Sequence, residues 1–158
     1  MVRQLQLEMF EGSDGEGVEY PIKGEEEGNI ERILVCGDRE WRNWAPMMRE
    51  LLKFDPQSVI IEGEARGADW LSRHLGEYLG FNIEPYPANW DQFGGPGQPP
   101  VRAAGPIRNT QMLREGKPSW VLAFHEDINK SKGTADMLKQ ANQRKWNIKP
   151  TNIKLFSK

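Results

Sequence analysis

Glycine and a basic side chain recur together at four places in this sequence, and that combination is the chemistry of oxyanion binding. The segments are Gly37-Asp38-Arg39-Glu40, Gly63-Glu-Ala-Arg66-Gly67-Ala-Asp69, Arg102-Ala-Ala-Gly105-Pro-Ile-Arg108-Asn109, and the stretch from His125 to Gly133-Thr134-Ala-Asp136. Glycine lets backbone N–H groups approach an anion with no Cβ in the way, and Arg39, Arg66, Arg102, Arg108, Lys130 and Lys132 supply the opposing charge. A phosphate-bearing ligand is the simplest occupant. Gly37 or Gly63 taken singly reads first as a tight strand-to-helix turn. Four such turns with cations at one edge are harder to explain as structure alone, although none is a Walker loop or a full Gly-x-Gly-x-x-Gly fingerprint.

Other residue types at these turns admit two readings each. Asp38 either contacts a ribose or closes an Asx turn. Asp69 and Asp136 stand where a first helical turn favours an acid, which is as good a reason for their presence as ligand contact. His125, after the fourth strand, reads either as a crevice residue or as a capping one, and His74 reads as structural. Trp41, Trp44, Trp70 and Trp90 flank the same turns, where an aromatic ring either packs or stacks on a base. Cys36 reads as a small core residue.

The elements that must position these residues follow from punctuation. Short apolar runs alternate with helical patterns of about a dozen residues, which is the signature of a parallel α/β sheet. The strands are Arg32–Cys36, Ser58–Glu62, Asn82–Tyr86, Trp120–Phe124 and Asn152–Phe156. The first helix opens at Asn43 and carries Trp44, Met47, Met48, Leu51 and Leu52 on one face, with Pro46 tolerated in its first turn. The second runs from Gly67 to Leu79 with Leu71, Leu75 and Leu79 as its stripe and Gly80 as its stop. A third spans Gly105 to Glu115 and a fourth Gly133 to Trp146. Residues 87 to 104 hold four prolines and interrupt the rhythm, as a functional loop does. In such sheets the ligand crevice lies beyond the carboxyl ends of the strands, where all four glycine turns fall.

The chain has 158 residues, one cysteine, two histidines and a net charge of −2. This excludes a disulfide framework and leaves no ligand set for a transition metal, so neither metal nor cofactor is expected. The sequence shows neither a secretory signal nor an apolar run long enough for a membrane span, so the expected compartment is a reducing cytoplasm. The charge is unevenly spread. Residues 1–30 carry eight acids against Arg3 and Lys23, with five glycines, and read as a flexible acidic arm ahead of one domain at 31–158. Residues 102–158 carry 12 basic and 4 acidic side chains. That excess keeps a nucleic-acid partner open, although solvated helix faces also look like this.

Taken together, Gly37-Asp-Arg-Glu, Gly63-Glu-Ala-Arg-Gly-Ala-Asp69, Ala104-Gly-Pro-Ile-Arg-Asn109 and Gly133-Thr-Ala-Asp-Met137 resemble the YspA-like, cpYpsA-related branch of the SLOG superfamily over about residues 32–150. More distantly the chain is similar to the Lonely Guy phosphoribohydrolases and to DprA. The resemblance implies a Rossmann-like open parallel sheet of about five strands with helices on both faces, binding a nucleotide or nucleotide-derived small molecule as a sensor or sequestering protein. It implies ligand contacts from Gly37, Asp38, Arg39, Gly63, Arg66, Gly67, Asp69, Arg102, Gly105, Arg108, Asn109, Gly133 and Thr134, and assembly into a homo-oligomer. Two alternatives come with it: hydrolysis of the N-glycosidic bond of a nucleoside monophosphate, and DprA-like binding of single-stranded nucleic acid. For hydrolysis, Asp136 is the carboxylate that answers oxocarbenium character and Arg108 holds the phosphate or departing base. This chain departs from the Lonely Guy pattern at both places. Asn129-Lys-Ser-Lys-Gly-Thr-Ala-Asp136 replaces a glycine-rich Pro-Gly-Gly-x-Gly-Thr-x-Glu-Glu loop, and Arg108-Asn109 replaces Arg-Lys.

Overall fold

The computed structural model describes residues 29–90 and 103–157. Five strands form one sheet: β1 (Arg32–Gly37), β2 (Val59–Glu62), β3 (Asn82–Pro85), β4 (Trp120–Phe124) and β5 (Ile153–Phe156). Their order is β3-β2-β1-β4-β5 and every pairing is parallel. Four α-helices connect them: α1 (Trp44–Leu51), α2 (Ala68–Leu79), α3 (Ala104–Gly116) and α4 (Gly133–Ala141). Parallel neighbours require crossovers, and the crossovers cover both faces of the sheet. Ile33, Val35, Ile60, Leu122 and Phe124 pack with Met47, Leu51 and Leu79 on one face. Leu34, Cys36, Ile61, Val121 and Ala123 pack with Met112, Leu113, Met137 and Ala141 on the other. The fold is the Rossmann-like α/β sheet that the alternation of elements predicts.

Several details depart from the sequence reading. The fourth helix ends at Ala141, not Trp146; Asn142 closes it and Arg144–Trp146 forms a separate 3-10 turn. Trp44 and Leu52 belong to the expected apolar face of α1, yet both are largely exposed, and Met47 and Leu51 carry the burial. An eight-residue helix presents too narrow a stripe to bury five positions. On α2 the deepest positions are Ala68, Ser72 and Gly76, while Leu71 and Leu75 lie half-buried beside them. A Cβ on Gly76 would stand 2.5 Å from Ile60 Cδ1, so the helix rides close on the sheet because its inner ridge is small. His74 is exposed and packs against Trp70 with the rings tilted, their centres 4.0 Å apart.

The chain runs outward from β1 to β3 and then returns to place β4 and β5 on β1's other side, which makes the β1/β4 boundary the topological switch point. There the strand ends close on each other. The Asp38 N–H donates to the Phe124 carbonyl at 2.8 Å, and a Cβ on Gly37 would stand 2.1 Å from that same oxygen. The acidic arm, apart from Asn29 and Ile30, lies outside the described residues, as do most of the proline-rich segment and Arg102. Among the described residues no helix is long and apolar enough to cross a membrane.

Candidate functional site

One strand over from the switch point, the turns after β1, β2 and β3 and the first part of α3 enclose an open cleft of about 330 Å³. Its walls are Arg39, Gly63, Glu64, Ala65, Arg66, Pro87, Ala88, Trp90 and Arg108. Three arginines thus converge, two from separate turns and one from α3, and Pro87, Ala88 and Trp90 give the cleft one apolar side. The Arg39 guanidinium lies 5.9 Å from the Trp90 ring centre, a cation–π contact. The volume falls at the small end of the range of ligand pockets, roughly 300 to 1,000 Å³.

The turn Gly63–Gly67 is the floor of this cleft, and carboxylates from behind it fix its shape. Asp69, in the first turn of α2, is 5 % exposed and points back under the turn, where its Oδ2 accepts from the Gly63 N–H at 3.0 Å and the Ala65 N–H at 3.3 Å. Glu62, fully buried at the end of β2, accepts from the Glu64 N–H at 2.6 Å. The glycine-rich turn therefore spends three N–H groups on its own carboxylates. The N–H groups of Gly63, Glu64 and Ala65 are thereby occupied, and the charge that faces the cleft comes from the arginine side chains.

Burial pushes the Asp69 carboxyl up to about 6, against the attraction of the nearby Arg108. Arg108 reaches across from α3 and donates from Nη1 to the Gly63 carbonyl at 2.5 Å. Its Nε donates to Asn109 Oδ1 at 3.3 Å, and Asn109 Nδ2 in turn donates to Asp136 Oδ2 at 3.0 Å and to the Gly133 carbonyl at 3.2 Å. Gln140 donates to the same Asp136 oxygen at 2.8 Å. One relay of hydrogen bonds thus joins Gly63, Arg108, Asn109, Gly133 and Asp136, which the sequence places in three separate segments. Asp136 stands at the far end of that relay and is not among the residues lining the cleft.

Gly67 has φ +78 and passes so close to the first turn that a Cβ would stand 2.2 Å from the Asp38 carbonyl oxygen, so it locks two turns together. Asp38 adopts the Asx turn, accepting from the Glu40 N–H at 2.9 Å, with His125 Nε2 4.0 Å from its other oxygen. Arg66 sits on the exposed rim in an ion pair with Glu40, 2.6 Å apart. Around Gly105 the nearest atom to an added Cβ is Trp90 at 3.9 Å, and around Gly133 nothing lies within 4 Å, so neither glycine is required by crowding. Thr134 is buried, and its N–H and that of Ala135 are taken by the Ser131 hydroxyl, so this helix start is already capped.

The sequence reading missed Glu62, Glu64 and Arg73. Arg73 donates to Glu62 Oε1 from Nη2 at 2.5 Å and to Glu64 Oε1 at 2.8 Å. The available signal was an acid closing an otherwise apolar strand, Val59-Ile-Ile-Glu62, with an arginine in the helix behind it. A buried carboxylate of that kind must be paired.

No family model matches the chain, and no curated protein matches it. Among solved structures it is similar to DNA processing protein A (DprA) from Streptococcus pneumoniae, with a TM-score of 0.58 and 17 % identity, over 80 % of this chain and 50 % of that one. This chain thus spans about half the length of that protein. The likeness is one of fold.

Proposed function

We propose that the cleft binds a nucleotide or nucleotide-derived small molecule through its phosphate, and that the protein acts as a sensor or sequestering protein for that ligand. One observation carries the reading: Arg39 and Arg66 from two turns and Arg108 from α3 line a single cleft together with Trp90. Guanidinium groups suit phosphate oxygens because they donate in a planar fork, and an indole suits a base because every base has a π face. Within the SLOG superfamily the Gly63–Asp69 and Ala104–Asn109 motifs favour the YspA-like branch. A cytoplasmic location and a homo-oligomeric state belong to the same reading. A thermal-shift panel of AMP, NAD, ADP-ribose and cyclic ADP-ribose tests it, since a ligand bound by the native state alone raises the melting temperature. Stabilisation by at least one of them that disappears in an Arg39→Ala/Arg66→Ala variant is the expected result; a flat panel contradicts the proposal.

A second reading is single-stranded DNA binding, favoured by the fold likeness to a protein named for DNA processing. It predicts a gel shift at low salt that fades steeply as salt rises. The hydrolase alternative draws less support, because the Asp136 carboxylate is already bonded to Asn109 and Gln140 and stands apart from the cleft lining.

A further inference from the structure

Glu64 is an unexpected residue for its place. Its φ is +57, the left-handed region that glycine adopts freely and a glutamate does not. It also sets a negative side chain into the wall of a cleft otherwise charged by three arginines. Strain of this kind persists only where the surroundings impose it, and here they do. The Glu64 N–H is held by the fully buried Glu62 carboxylate at 2.6 Å, and Arg73 bridges the two acids, bonding Oε1 of each. A buried carboxylate, its arginine and an uncommon backbone conformation all serve to fix one acid in the cleft.

We infer that Glu64 selects the sugar of the ligand, accepting hydrogen bonds from the vicinal hydroxyls of a ribose, so that the cleft takes ribonucleotides in preference to 2′-deoxyribonucleotides. The inference rests on the nucleotide-binding reading and deepens it. An ionised carboxylate is an acceptor only and repels phosphate, so it belongs against a neutral, donor-bearing part of the ligand. In a nucleotide the sugar joins the phosphate to the base. Glu64 lies in the same turn as Arg66 and beside Gly63, where Arg108 is anchored, while the apolar wall comes from Pro87, Ala88 and Trp90. A ligand with its phosphate on the arginines and its base against that wall brings its ribose hydroxyls to the carboxylate. An analogue that lacks the hydroxyl forgoes a hydrogen bond to an ionised acceptor and binds less tightly.

The test is calorimetric titration of the full chain with the four ribonucleoside monophosphates and their 2′-deoxy counterparts, in the wild type, in Glu64→Gln and in Glu64→Gly. Glycine suits φ +57, so Glu64→Gly keeps the turn and serves where the glutamine variant folds poorly. The expected result is a wild-type preference for the ribo form of roughly tenfold or more, reduced to near parity in Glu64→Gly. Equal and measurable affinities for ribo and deoxy forms in the wild type overturn the role of Glu64 and leave the cleft reading standing. A preference that survives in Glu64→Gly, or one that Glu64→Gln shifts between bases and not between sugars, also overturns it. Binding of neither series overturns the inference for Glu64, and the cleft reading is then decided by the thermal-shift panel.

Discussion

The Arg108 guanidinium donates to the carbonyl of Gly63 at 2.5 Å across 45 residues of sequence, and that one bond fastens α3 to the turn that floors the cleft. The fit leaves no space for a side chain on the glycine: a Cβ at Gly63 would stand 2.2 Å from Arg108 Nη1 and 2.9 Å from Asp69 Oδ2. Gly63→Ala is therefore expected to displace Arg108 and weaken ligand binding by tenfold or more, about 1.4 kcal/mol, with a stability loss of about 1 to 3 kcal/mol. Denaturant unfolding and ligand titration of the same variant measure both effects.

Two glycines of the same motif set are expected to behave oppositely. Gly67→Ala forces an alanine to φ +78 and against the Asp38 and Arg39 backbone, so a loss of about 1 to 3 kcal/mol is expected in urea unfolding. Gly133→Ala meets nothing within 4 Å and begins a helix, so it is expected to be neutral or mildly stabilising. Equal losses at both positions would refute the distinction.

Asp69 gives the protein a predictable pH response. Its carboxyl titrates near 6 in the folded state because burial disfavours the charged form, against an ordinary value of 3.8. Between those values the folded state holds the proton and the unfolded state does not, so this group's contribution makes stability fall as pH rises from about 4 to about 6 and level off above. The full change is on the order of 3 kcal/mol. Subtracting the unfolding free energies of Asp69→Asn from those of the wild type at a series of pH values isolates it, and a difference independent of pH would contradict the assignment.

Glu40 competes with any anion for Arg66. Their pair is solvent-exposed on both sides, which holds its strength to about 0 to 1 kcal/mol. Glu40→Gln is thus expected to raise phosphate-ligand affinity by up to about fivefold at low salt, and the gain is expected to vanish at high salt. A loss of affinity in this variant would mean that Glu40 itself contacts the ligand.

Cys36 lies buried in β1, and burial pushes its thiol well above the ordinary range. A soluble thiol reagent is expected to leave it untouched in the native protein and to modify it fully in denaturant. Rapid labelling of the native protein would show that the core layer between the sheet and α3 and α4 opens.

The sheet was legible in the sequence because short β-rich runs and helical stripes have distinct periods, and each strand lies within one or two residues of its predicted span. Arg39, Gly63, Arg66 and Arg108 were legible as a set because glycine and arginine mark the carboxyl edge. What stayed hidden depends on tertiary contacts. Asp69 reads as a first-turn acid, but its carboxylate turns back beneath the preceding loop. Glu62 shows only as an acid closing an apolar strand, and Glu64 carries no local sign of being held by Arg73, whose guanidinium arrives from the next helix. Trp44 and Trp70 look like packing residues in sequence, yet both lie exposed, and Trp41 alone of the first three is buried, against Phe124. Apolar character fixes which residues prefer burial and not which of them a short helix can cover.

The central claim, that three arginines from two turns and α3 bind one phosphate-bearing nucleotide, is tested most directly by titrating the protein with the ligand that stabilises it best and repeating the titration with Arg39→Ala, Arg66→Ala and Arg108→Ala. The account predicts saturable one-site binding in the wild type, weakened in each variant by roughly tenfold or more, as expected when one charge-assisted contact is removed. Binding that is unchanged in all three variants, or no binding by the wild type, would contradict it.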